Sequence, residues 1–216
     1  MKILLTGFEP FGGETSNPAQ QLALALDGET RDGAEIVSAI LPVARFEALT
    51  ALDGLLAQHK PDMVIALGVA AGREGITPEK VAINFDDFRI ADNKGQQPLG
   101  EPVSENGPTA YFSTLPINLM VQEMAYLVPT NISFSAGTFV CNHLMYGLQH
   151  RCANAYPHIR SGFVHVPQAT ENLPTDNTSD MPHLPLAQMA EALKRAIWAA
   201  AAHKGDDIKL NAGNTH

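Results

Sequence analysis

Residues 137–146 read G-T-F-V-C-N-H-L-M-Y, which sets a cysteine where a glycine turn feeds a helix. The thiolate is the nucleophilic form of cysteine, and a helix N-terminus stabilises it through unpaired N–H groups and the helix dipole. Placed there, Cys141 could attack a carbonyl and carry a covalent acyl intermediate. The same letters have a second meaning. Cys141, Leu144, Met145, Leu148 and Cys152 recur at helical spacing, so the thiol could instead lead a buried stripe. The local sequence leaves both readings open.

A nucleophilic cysteine needs a base, and the chain has eight histidines. His143 is near in sequence but lies about 200° around the helix from Cys141, at about 100° per residue, and cannot reach it. His165 closes the strand-like F-V-H-V just before Pro167, at a sheet edge where loops and helix N-termini meet. A carboxylate that orients the imidazole would complete a triad. Glu79, Asp86, Asp87 and Asp92 compete for that role, and spacing does not choose among them. The loop T-G-F-E-P-F-G-G, residues 6–13, is glycine-rich but matches no phosphate-binding pattern. Its Phe8 and Phe11 would either wall an apolar pocket for a small uncharged ligand or pack the loop onto the body.

Composition narrows the partners. Fourteen basic against twenty-three acidic residues give a net charge of −9, which argues against a nucleic-acid partner. No run is apolar for long enough to span a bilayer, so no membrane association is expected. The first residues break into glycine and acid too early for a secretory signal, which predicts a cytoplasmic protein. Two cysteines eleven positions apart on one helix would be separated by roughly 16 Å, beyond disulfide reach. Neither C-x-x-C nor H-E-x-x-H occurs, so no metal site is expected.

The elements that must position these residues alternate in type. Lys2–Thr6, Glu35–Leu41, Met63–Leu67, Ile132–Ser135 and Ser161–Val166 read as strands. Helices are expected from Asn17-Pro18 onward, over Ala44–His59, from about Thr109 to Tyr126 with an interruption near Pro116, over Thr138–Tyr156 and over Leu186–His203. This pattern predicts a single α/β domain over residues 1–203, with a twisted, mostly parallel central sheet and helices on both faces. Residues 77–93 read as a small β-hairpin excursion. Residues 204–216 are polar and aperiodic, which predicts a mobile tail.

Several stretches in collinear order carry a specific resemblance. T-G-F-E-P-F-G-G-E, L-G-V-A-A-G-R, I-T-P-E-K-V-A-I-N-F-D-D-F-R-I-A-D-N, P-T-A-Y-F-S-T-L-P, S-A-G-T-F-V-C-N-H-L-M-Y and G-F-V-H-V-P together resemble the pyroglutamyl-peptidase I family of cysteine peptidases. The resemblance implies hydrolysis of the amide bond after an N-terminal pyroglutamyl residue of a peptide, with no cofactor. It further implies Cys141 as nucleophile, His165 as general base and acid, and Glu79 as the orienting carboxylate. Phe8, Phe11, Phe139 and Val140 correspond to the ring pocket, and Arg89 with the Cys141 backbone N–H to the oxyanion site. A homo-oligomer, commonly a tetramer in the family, is implied as well. Two departures stand out. Many members have G-Q-A-G-G-R where this chain has Val69 and Ala71, and Phe88 stands where alanine is frequent, which is expected to narrow the nearby cavity. A relative acting on another blocked amide and a non-catalytic binding protein with Cys141 as a core thiol are the competing readings.

Overall fold

The computed structural model describes residues 1–173 and 180–211. Its centre is a six-stranded sheet built from β1 (Lys2–Phe8), β2 (Thr30–Arg31), β3 (Ala34–Leu41), β4 (Met63–Val69), β5 (Thr77–Pro78) and β8 (Arg160–Val166), in the order β2-β3-β1-β4-β8-β5. The four long strands are parallel, and the two short edge strands run antiparallel to their neighbours. Helices α1 (Pro18–Ala25), α2 (Arg45–His59), α3 (Ile117–Met124), α4 (Val140–Ala155) and α5 (Leu186–Ala202) cover it.

Alternation along the strands explains the two layers, because successive side chains point to opposite faces. Ile3, Leu5, Met63, Ile65, Leu67, Val164 and Val166 meet α1, α3 and α5 in one core. Leu4, Val64, Ala66 and Phe163 meet α2 and α4 in the other. Each fully buried aliphatic side chain contributes about 1.5–3 kcal/mol to the folded state. Helix α1 starts as the sequence predicts: Asn17 is its N-cap, its Oδ1 accepts from the Ala19 amide at 2.9 Å, and Pro18 occupies the first helical position.

The departures from expectation have local causes. Residues 132–135 form no strand; the chain from Thr130 to Ser133 meets the segment from Ile76 to Glu79 through isolated bridges, Ile76↔Thr130 and Glu79↔Ser133. Pro78 has no N–H to extend that ladder, and the Ser133 hydroxyl turns back onto the Ser135 carbonyl. The excursion at 77–93 exists but is not paired within itself. Instead β5 joins the end of β8, and β6 (Val81–Ile83) pairs with β7 (Ala110–Phe112), more than twenty residues on. That makes the first part of the expected third helix a strand, with Tyr111 turned inward against Tyr146; α3 begins only after Pro116.

Two further short strands, β9 (Gln168–Ala169) and β10 (His183–Leu184), pair with each other. Of the expected tail, residues 204–211 are described. Asp207 caps α3 there, accepting from the Asn118 and Leu119 amides at 2.8 and 3.2 Å. Pro116 brings no capping side chain to that helix, so a carboxylate distant in sequence supplies the acceptor. Residues 212–216 lie outside the described residues.

Candidate active site

The parallel strands bring their carboxyl ends to one edge, the usual place for a ligand in an open α/β sheet. In the register, Gly68 of β4 is paired with His165 of β8, and Phe8 ends the neighbouring β1. Helix α4 begins above this row, with Phe139 as its N-cap and no side chain capping it. The first amide bonded within the turn is that of His143, to the Phe139 carbonyl at 3.1 Å. The amides of Val140, Cys141 and Asn142 therefore have no partner inside the helix.

Gly68 shows how closely the thiol approaches the sheet. A Cβ at this position would lie 3.0 Å from Cys141 Sγ and 2.6 Å from Phe163 Cζ. The thiol thus rests on the strand residue paired with His165. The lead-in to α4 is held from outside: Thr138 and Asp87 exchange two hydrogen bonds, of 2.7 and 3.1 Å. Beside the thiol, the buried Asn142 amide binds the Ile83 amide and the carbonyls of Ile83 and Phe85 at 2.9–3.0 Å.

His165 is 4% exposed, and its Nδ1 is 2.6 Å from Oε1 of Glu79, which is fully buried. A carboxylate accepts, so Nδ1 carries the proton and Nε2 is left as the free base. The same Glu79 oxygen accepts from Arg73 Nη1 at 2.7 Å. The competing carboxylates have other occupations. Asp86 is buried against Arg45 Nε and His143 Nδ1, at 2.8 and 2.7 Å. Asp92 accepts from the Arg45 amide at the start of α2, and Asp87 is exposed. His143 lies in this separate cluster, away from the thiol as the helical geometry requires.

Burial governs the ionisation of the three groups. The Cys141 thiol is pushed up to about 12 by burial and then by the Glu79 charge, against the pull of Arg73 and of its own backbone N–H. Burial also lowers His165, outweighing its bond to Glu79. For Glu79 burial works the other way, but the hydrogen bond and charge of His165 win, and the carboxylate is held below its ordinary range. The resting site therefore holds a neutral thiol, a neutral imidazole and a charged carboxylate.

Next to Sγ is a small pocket lined by Phe8, Phe11, Asn17, Val43, Val69, Phe139, Val140 and Cys141, with about 240 Å³ of space, part of it open to solvent. Its lining is almost wholly apolar, which suits an uncharged group. Asn17 adds no free polar group, since its amide is spent on Ala19 and on the Glu9 carbonyl. Phe88 does not line the pocket; it packs 4.7 Å from Phe139, ring centre to ring centre, and backs that wall. Arg89 is exposed and does not line it either. Sequence reasoning missed Asn17, Val43 and Arg73. Only Arg73 left a sequence signal, a cation in the turn after a strand end and six residues before Glu79. Among the described residues no group of three or more His, Cys, Asp or Glu is placed to hold a metal.

The chain is similar to known proteins over its whole length. It is 45% identical over 216 residues to the pyrrolidone-carboxylate peptidase of Bacillus velezensis, covering 100% of this chain and 99% of the relative. With that of Streptomyces coelicolor the identity is 47% over 217 residues, again covering 100% and 99%. The crystal structure of pyroglutamyl peptidase I from Bacillus amyloliquefaciens superposes with a TM-score of 0.92 at 44% identity, covering 97% of this chain and 99% of that one. A mutant pyrrolidone carboxyl peptidase from Pyrococcus furiosus gives a TM-score of 0.88 at 40% identity, covering 93% and 98%. A family model described as pyroglutamyl peptidase matches residues 1–203, and with it the chain is placed: it belongs to the pyroglutamyl peptidase family.

Proposed function

We propose that this chain is a cysteine peptidase that hydrolyses the amide bond after an N-terminal pyroglutamyl residue, with Cys141, His165 and Glu79 as its catalytic triad. The observation that carries the reading is the arrangement at one sheet edge. Cys141 Sγ lies against Gly68, the register partner of His165, beside an apolar pocket, and His165 Nδ1 is bonded to buried Glu79. Pyroglutamate is a lactam without a charged amine, so an apolar pocket formed by Phe8, Phe11, Phe139 and Val140 accepts it where a free, protonated N-terminus would be left unpaired.

The steps balance on these atoms. As Sγ bonds to the scissile carbonyl carbon, the thiol proton passes to His165 Nε2, and Glu79 stabilises the imidazolium. The resulting oxyanion meets the unpaired amides at the start of α4, that of Cys141 among them. Arg89, the one cation of residues 84–93, is proposed to add its charge from the neighbouring loop. Collapse of the adduct breaks the C–N bond, and the proton on Nε2 goes to the leaving amine. Water then attacks the thioester with His165 as base, releasing pyroglutamate and the thiol.

A cytoplasmic setting belongs to the proposal, since both cysteines are free and a required thiol is sensitive to oxidation. Among the described residues no helix is long and apolar enough to cross a membrane. A homo-oligomer, a tetramer as the family resemblance implies, is also proposed. The outward face of β6 and β7 supports it, with Ile83 and Phe112 36% and 68% exposed. Residues 1–203 would then be the catalytic unit. The test is release of a fluorogenic amine from its pyroglutamyl amide under reducing conditions, with the alanyl amide as control. Release from the first compound only, abolished in Cys141→Ser, is expected. Equal release from both, or none from either, would overturn the assignment.

A further inference from the structure

We infer that Arg73 is a positioning residue of this active site, clamping the Glu79 carboxylate and the turn that launches α4 into one frame with His165. The inference rests on the reading of Cys141, His165 and Glu79 as a triad. Arg73 leaves the end of β4 on a tight turn, its amide bonded to the Ala70 carbonyl at 3.1 Å, and its guanidinium reaches three places. Nη1 donates to Glu79 Oε1 at 2.7 Å and to the Thr77 hydroxyl, and Nη2 donates to the Ser135 carbonyl at 3.0 Å. One planar cation thus ties the strand end beside Gly68 to β5, which leads to Glu79, and to the turn before Cys141.

Glu79 needs such a second hold. Its Oε1 is shared by His165 and Arg73, while Oε2 is buried with no hydrogen-bond partner among the described residues. The nearby Ser133 hydroxyl donates instead to Ser135. Without Arg73, Oε1 would be held by His165 alone, and the carboxylate could rotate and take the imidazole out of line with the thiol. The fork geometry of arginine resists this in a way that a point charge on a flexible stem does not.

The cation also has an electrostatic consequence that a purely structural strut would lack. The charged or titratable groups facing His165 are Glu79 after β5, Cys141 from α4 and Arg73 from the loop after β4. Arg73 offsets part of the Glu79 charge at both His165 and Cys141, and so favours the unprotonated form of each. Removing it lets Glu79 hold a proton on His165 up to higher pH. The acid limb of kcat/KM must then move upward.

The test measures kcat, KM and the pH profile with a pyroglutamyl amide for wild type, Arg73→Met, Arg73→Lys and Thr77→Val, with Tm for each. In Arg73→Met, kcat is expected to fall by about 10–100-fold with KM within about twofold, because the pocket is untouched, and the acid limb moves to higher pH. Arg73→Lys returns the limb to its wild-type position and recovers part of kcat. A fall of the same size in both variants with an unmoved acid limb would overturn the inference, as would wild-type kcat in Arg73→Met. Should Arg73→Met not fold, Thr77→Val decides: it keeps the charge and removes one anchor, so kcat must drop several-fold with KM and the acid limb unchanged, and an unaltered kcat refutes the clamp. Failure of the underlying triad is recognised separately, by an inactive wild type or an active Cys141→Ser.

Discussion

In the proposed mechanism, burial and catalysis pull in opposite directions at Cys141. A thiol pushed up to about 12 is not a resting thiolate, so the nucleophile must be made at the moment of attack by a base that is neutral at working pH. His165 meets that condition because burial lowers it below its ordinary 6.5. The sign follows for the pH dependence. Activity is lost on the acid side as His165 gains a proton, which must happen below pH 6.5, and on the alkaline side only as the thiol ionises, above its ordinary 9.0. We expect a broad plateau in kcat/KM between these limits, reported as the two apparent values of the coupled pair. A narrow bell with its acid limb above 6.5 would contradict this account of the site. Helix and strand geometry brought Cys141 and His165 forward as candidates and set His143 aside, while the reading of Cys141 as nucleophile rather than core thiol came from the family resemblance. Spacing did not choose among the four acids of residues 79–92; the resemblance implied Glu79, and the fold supplies the physical reason, with Asp86 and Asp92 serving Arg45 while Glu79 turns inward.

The elements supply placement, and their contribution is most exposed at Gly68. Any side chain there meets the Phe163 ring at 2.6 Å and the Cys141 sulfur at 3.0 Å. Ring and sulfur can yield by small rotations, so Gly68→Ala should fold with a loss of about 1–3 kcal/mol, the usual cost of overpacking. Catalysis has less slack, since a misplacement of about 1 Å can cost on the order of 100-fold. The predicted result is a kcat depressed far beyond the change in Tm; a variant with normal kcat would show that Sγ does not work from this position. The long strands and α1, α2, α4 and α5 were readable from periodicity and caps. The stretch 76–135 was only partly so. Its pairings, β5 with β8 and β6 with β7, depend on partners far away in sequence, and hydrophobic alternation over two or three residues cannot encode them.

For the whole molecule, the sheet's two apolar faces and its shared carboxyl edge explain why the site lies where it does, with the pocket between the ends of β1 and β4 and the start of α4. The alternation of strands and helices made this architecture legible in outline. What it could not convey is the surface: the outward side of β6 and β7 bears Ile83 and Phe112 only after the distant strands have paired. The proposed homo-oligomer would bury this local apolar patch against the self-repulsion of a chain with a net charge of −9. Phe112→Glu is therefore expected to shift the species seen by sedimentation velocity to a smaller one while leaving the proposed triad in place. An unchanged sedimentation coefficient would contradict the proposal that this face is an interface between copies.

The most direct test of the central claim is to catch the acyl group on the thiol. Wild-type protein turning over a pyroglutamyl ester is quenched in acid and digested, and the peptides carrying Cys141 and Cys152 are examined by mass spectrometry. A pyroglutamyl adduct on the Cys141 peptide alone is the predicted result, because Cys152 lies on the buried face of α4, about three turns on, and is hydrogen-bonded to Ser161. Turnover with no adduct on Cys141, together with activity surviving in Cys141→Ala, would contradict the account.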